Sequence, residues 1–112
     1  MKLTQIEDRL DNEFPGLGLS WISCGTGWYP ILKKLVQRVL EIDSNIQVLQ
    51  VKEKFGDIRF YVTPTSDAVN QVIGDFSLLS STVCESCGTQ DGVTKEGGWI
   101  KTFCPQCRID NK

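Results

Sequence analysis

The sequence predicts an α+β domain in which a central antiparallel β-hairpin is packed by amphipathic helices and followed by a C-terminal four-cysteine zinc ribbon. Three observations carry that prediction. Residues 30–41 repeat apolar groups at helical spacing, and residues 46–63 switch to a two-residue alternation interrupted by one turn. Beyond them, Cys84-x-x-Cys87 and Cys104-x-x-Cys107 stand sixteen residues apart, a ribbon-type spacing for tetrahedral metal ligation. The expected division is an α+β unit over 1–83 and a zinc module over 84–108.

The elements follow in order. Thr4-x-x-Glu7 has the spacing of a capping box, and Leu3, Ile6, Leu10 and Phe14 continue it as a helical stripe that Pro15-Gly16 stops. A Gly-rich loop over 15–27 carries Leu17, Leu19, Trp21 and Ile22, which predicts a loop packed onto the core. Pro30 suits the first turn of a helix, where its missing N–H costs nothing. From it run Ile31, Leu32, Leu35, Val36, Val39 and Leu40, with Lys33, Lys34, Gln37, Arg38 and Glu41 opposite, ending near Asp43-Ser44-Asn45.

In the hairpin, Gly56 is read as the first central residue of a two-residue turn, which sets Phe55 opposite Ile58, Glu53 opposite Phe60 and Val51 opposite Val62. The other face then pairs Lys54 with Arg59, Lys52 with Tyr61 and Gln50 with Thr63. Thr65, Ser66 or Asp67 caps a third helix, whose buried stripe is Val69, Val72, Ile73, Phe76 and Leu79. Gly88, Asp91-Gly92 and Gly97-Gly98 mark turns within the cysteine segment.

The chain has no histidine, so a conventional structural zinc site here uses four thiolates: Cys84, Cys87, Cys104 and Cys107. Structural Zn2+ contributes about 10–16 kcal/mol in small finger peptides, a scale suited to ordering a segment so poor in apolar groups. Docking of Trp99 or Phe103 on the third helix would add to it. Cys104-Pro105-Gln106-Cys107 also has the form of a thiol-redox motif, but that chemistry works at a helix N-terminus. Only five residues follow Cys107, and no helix is expected there. Four protein ligands leave no open position for catalytic water.

Charge and composition bound the function. The chain has 112 residues, 12 basic and 14 acidic, for a formal charge of −2. Four thiolates on one dication add a further −2, giving about −4 with zinc bound. That balance argues against nucleic acid as the partner, since such binding draws on phosphate neutralisation. No window reaches the length of a membrane span. The polar N-terminus lacks the apolar stretch of a signal peptide, so the expected location is the reducing cytoplasm, where paired CxxC turns are metal ligands.

Three further features need a reading. Cys24 is the odd cysteine; without a neighbouring histidine it is expected as a small buried residue rather than a nucleophile. Glu53 falls on the apolar hairpin face, so its carboxylate is expected to pair with a lysine, an arginine or backbone N–H groups of the 23–28 loop, to lie at the edge of the core, or to be protonated. Lys52, Lys54, Arg59 and Tyr61 share the opposite face, which is either a solvated surface or a platform for an anionic partner.

The segments Cys24-Gly25-Thr26-Gly27-Trp28-Tyr29, Gln50–Tyr61 (QVKEKFGDIRFY) and Cys84-Glu85-Ser86-Cys87-Gly88 together resemble a family of small uncharacterised proteins of bacteria and their phages, over roughly residues 20–108. The last ligand pair of that family often ends in histidine; here it ends in Cys107. The resemblance implies a bacterial or phage origin and favours interaction roles such as host takeover or counter-defence, and it supplies no activity. The function expected is therefore a non-catalytic, zinc-binding protein-interaction module that presents Trp99 and Tyr61. The alternative is a nucleic-acid-binding protein that uses the Lys52/Lys54/Arg59/Tyr61 face and the ribbon.

Overall fold

The computed structural model describes residues 22–96 and 100–110. The helix expected over Leu3–Phe14 lies outside the described residues, as do Leu17, Leu19, Trp21, the Gly97-Gly98 turn and Trp99. The described chain is mixed α+β. It runs β1 (Ile22–Ser23), a 3-10 turn (Thr26–Trp28), α1 (Tyr29–Ile42), β2 (Gln47–Lys54), β3 (Asp57–Thr63), α2 (Asp67–Ser80), β4 (Thr94–Glu96), β5 (Lys101–Phe103) and α3 (Pro105–Asp110).

α1 forms where the apolar stripe requires it. Pro30 sits in its first turn, and Tyr29, Ile31, Leu32, Leu35, Val36 and Val39 are buried on one side. It stops where Asp43 donates its backbone N–H to the Val39 carbonyl and accepts the Asn45 N–H on its side chain. Of the three candidate caps for α2, Ser66 takes the role, its hydroxyl accepting the Val69 N–H at 3.2 Å.

The α2 stripe is shorter than the sequence suggests. Val69 is buried and Val72, Ile73 and Phe76 pack against the core, but Leu79 remains 39% exposed. Ser80 is buried in the last turn instead. Its hydroxyl accepts the Ile58 N–H of β3 at 3.0 Å and donates to the Ser77 carbonyl. Satisfying a strand N–H with a short side chain brings the helix end against the strand and leaves Leu79 outside.

The sheet has three strands, in the order β1-β2-β3. β1 was not expected. It pairs parallel with β2, Ile22 opposite Val51 and Ser23 opposite Lys52, and α1 is the crossover that a parallel pair demands. A two-residue strand leaves no alternation to read.

The hairpin register also differs from expectation. Glu53 lies opposite Ile58, Val51 opposite Phe60 and Lys52 opposite Arg59, with an irregularity at Leu49 beyond which Val48 meets Val62. The turn is Phe55-Gly56 rather than Gly56-Asp57, and both residues have positive φ (53° and 83°), the pattern of a type I′ turn. The pairing has slid by two residues, so every side chain keeps its expected face. Phe55 is the exception: at the turn tip it is 59% exposed instead of facing the core.

A left-handed Phe is strained by about 1–2 kcal/mol, and two contacts hold it. The Glu53 carboxylate accepts the Gly56 N–H at 2.8 Å, and the buried Thr102 hydroxyl donates to the Gly56 carbonyl at 2.6 Å. A Cβ at Gly56 would stand 2.7 Å from that hydroxyl.

Candidate metal centre

The four C-terminal cysteines arrive on two different local structures. Cys84 and Cys87 flank a tight turn just beyond α2. There the Cys84 N–H bonds the Thr89 carbonyl, the Gly88 N–H bonds the Cys84 carbonyl, and the Cys87 N–H points at the Cys84 sulfur at 3.5 Å. Gly88, at φ 84°, turns the chain away. Cys104 immediately precedes α3, and the Cys107 N–H points at its sulfur at 3.4 Å. The six residues of α3 correct the expectation that no helix follows Cys104.

Between the two pairs, β4 and β5 form an antiparallel ribbon with Thr94 opposite Phe103 and Glu96 opposite Lys101. Arg108 fastens it: its guanidinium donates to the Thr94, Glu96 and Lys101 carbonyls and lies 5.8 Å from the Phe103 ring. Phe103 therefore packs on the cysteine cluster.

The four sulfurs lie within 4.8 Å of one another. Across the two halves, the Cys87 and Cys104 sulfurs are 3.8 Å apart, and none of the five cysteines is in a disulfide. A disulfide needs about 2.05 Å. Zinc–sulfur bonds of about 2.3 Å set tetrahedral S···S edges of about 3.8 Å. The donor set thus fits a single tetrahedral ion.

The thiols of the cluster differ electrostatically. Burial pushes the Cys107 thiol up to about 12, with the Cys104 side chain adding to the rise. Burial also raises Cys84, but backbone hydrogen bonds from Cys104, Cys87 and Ser86 outweigh it and bring that thiol down to about 7. Four thiolates this close repel one another, and a cation that enters must displace their protons.

A second polar cluster joins this centre to the sheet. Glu53 is ion-paired with Lys101 of β5 at 2.8 Å, which supplies the lysine partner its position called for. The N–H groups of the 23–28 loop go instead to Glu85, a residue the sequence reading passed over. Gly25 donates to its carboxylate at 2.8 Å and Gly27 to its carbonyl at 2.7 Å. Glu85 is only 6% exposed; its second oxygen has no hydrogen bond, and Lys101 stands 3.9 Å away.

Burial pushes the Glu85 carboxyl up, against the pull of the Gly25 amide and Lys101, and Glu53 adds to the rise. Burial works against the Lys101 ammonium, but Glu53 and Glu85 outweigh it and raise its pKa. Cys24 is buried as expected, and burial, then Glu85 and Glu53, push its thiol up to about 12. Glu85, Lys101, Thr102 and Arg108 were all missed. The signal available for Glu85 was its place between two ligands; the others declare themselves only through contacts across the fold.

The candidate partner-binding residues share the outer face of the sheet. Lys52 and Arg59 are directly opposed and half-buried, and Tyr61 is 44% exposed with the Lys52 ammonium 5.8 Å from its ring centre. Lys54 pairs in register with Asp57 and lies over Phe55. A shallow depression of about 440 Å³ is lined by Leu49, Gln50, Lys52 and Tyr61.

Among the described residues, no helix is long and apolar enough to cross a membrane. Comparisons with protein-family models, curated proteins and solved structures return no match. The fold and site define a small α+β protein with a four-cysteine cluster able to hold a metal ion.

Proposed function

We propose that this chain is a structural zinc protein, a non-catalytic scaffold whose role is to bind another protein in the cytoplasm. The observation that carries the metal reading is the convergence of four unbridged sulfurs within 4.8 Å. All-sulfur tetrahedral ligation suits zinc or iron and disfavours magnesium, calcium and manganese, and four protein ligands close the coordination sphere to substrate. The non-catalytic reading is supported by chemistry. Cys24, held near 12, supplies no thiolate at neutral pH. Glu53 is engaged by Lys101 and a turn amide.

Elemental analysis of untagged protein tests the metal, with one zinc per chain expected. Purification from the native host, with and without chelation, tests the partner. A protein should co-purify reproducibly with the metal-loaded chain alone; repeated recovery of none would end the interaction reading.

A second reading is favoured by the Lys52–Tyr61 arrangement beside the outer depression: a stacking platform for single-stranded nucleic acid. It predicts binding that weakens steeply with salt and falls at least about tenfold on Lys52→Glu or Arg59→Glu. Fluorescence anisotropy that shows no binding at about 50 mM salt would remove it.

A further inference from the structure

We infer that metal loading at the four-cysteine centre controls the conformation of the Ser23–Trp28 loop, which is held closed only while the Cys84–Cys87 turn is held by metal. The inference rests on the zinc reading and extends it to a conformational device. Between its anchors, Ser23 in the sheet and Trp28 buried in the apolar core, the loop borrows its order from that turn. Gly25 and Gly27 donate to Glu85, the Trp28 indole donates to the Val83 carbonyl at 2.9 Å, and the Thr26 hydroxyl reaches the Ser86 carbonyl at 3.4 Å. Every one of these acceptors lies within residues 83–86, beside or between the first two ligands. Within the loop, one backbone bond, Trp28 N–H to the Gly25 carbonyl, adds to them.

Contact is close enough to exclude side chains. A Cβ on Gly27 would stand 2.6 Å from the Gly88 nitrogen, and one on Gly25 would stand 2.9 Å from the Glu85 side chain. The loop therefore fits against this turn in this shape.

The turn itself has a reason to leave. It carries the buried Glu85 carboxylate, one oxygen of which accepts no hydrogen bond and has only the Lys101 ammonium at 3.9 Å, so its burial is incompletely compensated. Sulfur–metal bonds on either side of Glu85 hold the turn in. Without them the turn swings out, Gly25 and Gly27 lose their acceptors, and the adjacent Cys24 becomes more accessible. α1 and its partners in the sheet, which are buried by apolar contact, remain.

Amide exchange followed by NMR on metal-loaded and chelated protein tests this, with metal content measured in parallel. Metal removal should accelerate exchange at Gly25 and Gly27 about 100-fold or more, with Leu35–Val39 still protected. Alkylation of Cys24 should accelerate with it. In the loaded protein, Gly27→Ala should open the loop while the metal is retained. Unchanged exchange at Gly25 and Gly27 after verified metal loss overturns this inference and leaves the zinc reading standing. Equal loss of protection throughout α1 overturns it too, because the change is then global. A protein that never binds metal overturns the zinc reading and this one together.

Discussion

Leu32, Leu35, Val36 and Val39 of α1 are fully buried in one apolar core with Val48, Val51, Ile58, Phe60 and Val62 of the sheet. Among the described residues of 84–107, the buried set is instead Cys84, Glu85, Thr102, Cys104 and Cys107. The first region is held by removing apolar surface from water, at about 1.5–3 kcal/mol for each large side chain. The second buries polar and ionisable groups, which stabilise a fold only when each finds a partner. Glu53 and Thr102 connect the two regions. Both serve the Phe55-Gly56 turn, so the sharpest turn of the sheet is completed from the cysteine-bearing segment. A small protein can thus build one region on nonspecific burial and the next on a few exact bonds, and the two respond differently to substitution.

The largest expected effect comes from breaking the second region at its sulfurs. Cys107→Ser should reduce bound zinc from one per chain to near zero and abolish amide protection over Thr94–Phe103, removing a contribution of about 10 kcal/mol or more. Full zinc content by elemental analysis would break the contrast, since the fourth ligand would then be dispensable. In the first region, Leu35→Ala should cost about 2–5 kcal/mol in urea unfolding and leave zinc stoichiometry unchanged. A cost below about 1 kcal/mol would show that burial is not what holds α1.

At the join, Lys101→Met leaves Glu53 and Glu85 without their shared cation. Because the Lys101 side chain is 30% exposed, the expected loss is about 1–2 kcal/mol rather than the value for a fully buried pair. A double-mutant cycle with Glu53→Gln should return a coupling of about 1 kcal/mol, and zero coupling would separate the two regions energetically.

At neutral pH the smallest effect belongs to Cys24, which acts only as a slope at alkaline pH. Cys24 keeps its proton in the folded state up to about 12, while an unfolded thiol loses it near 9. The folded state therefore holds more protons between those values. Its stability is full below about pH 9 and falls as pH rises toward 12, by at most about 1.4 kcal/mol per pH unit. Cys24→Ala should flatten that part of the urea-midpoint profile; an unchanged slope would assign it elsewhere.

Much of this was legible locally. The α1 stripe, the α2 stripe as far as Phe76 and the two faces of the hairpin follow from periodicity, because a side chain's direction repeats with the backbone. The hairpin faces survived even a wrong turn assignment, since a two-residue slide preserves the alternation. The parallel strand β1 and the short α3 were not legible, being too brief to show a period.

By itself the sequence determined that Cys84, Cys87, Cys104 and Cys107 form two pairs at metal-ligand spacing, that Glu53 falls on the apolar face of the hairpin, and that Cys24 is expected to be buried. Each conclusion rests on the chemistry of one side chain in a local pattern. Only the tertiary structure decided that Lys101 is the partner of Glu53, that Glu85 receives the 25–27 amides, and that Gly25 and Gly27 are small because the Cys84–Gly88 turn lies against them. Those pairings join residues 48 or more positions apart, and nothing local encodes a contact that exists only once the chain has closed on itself.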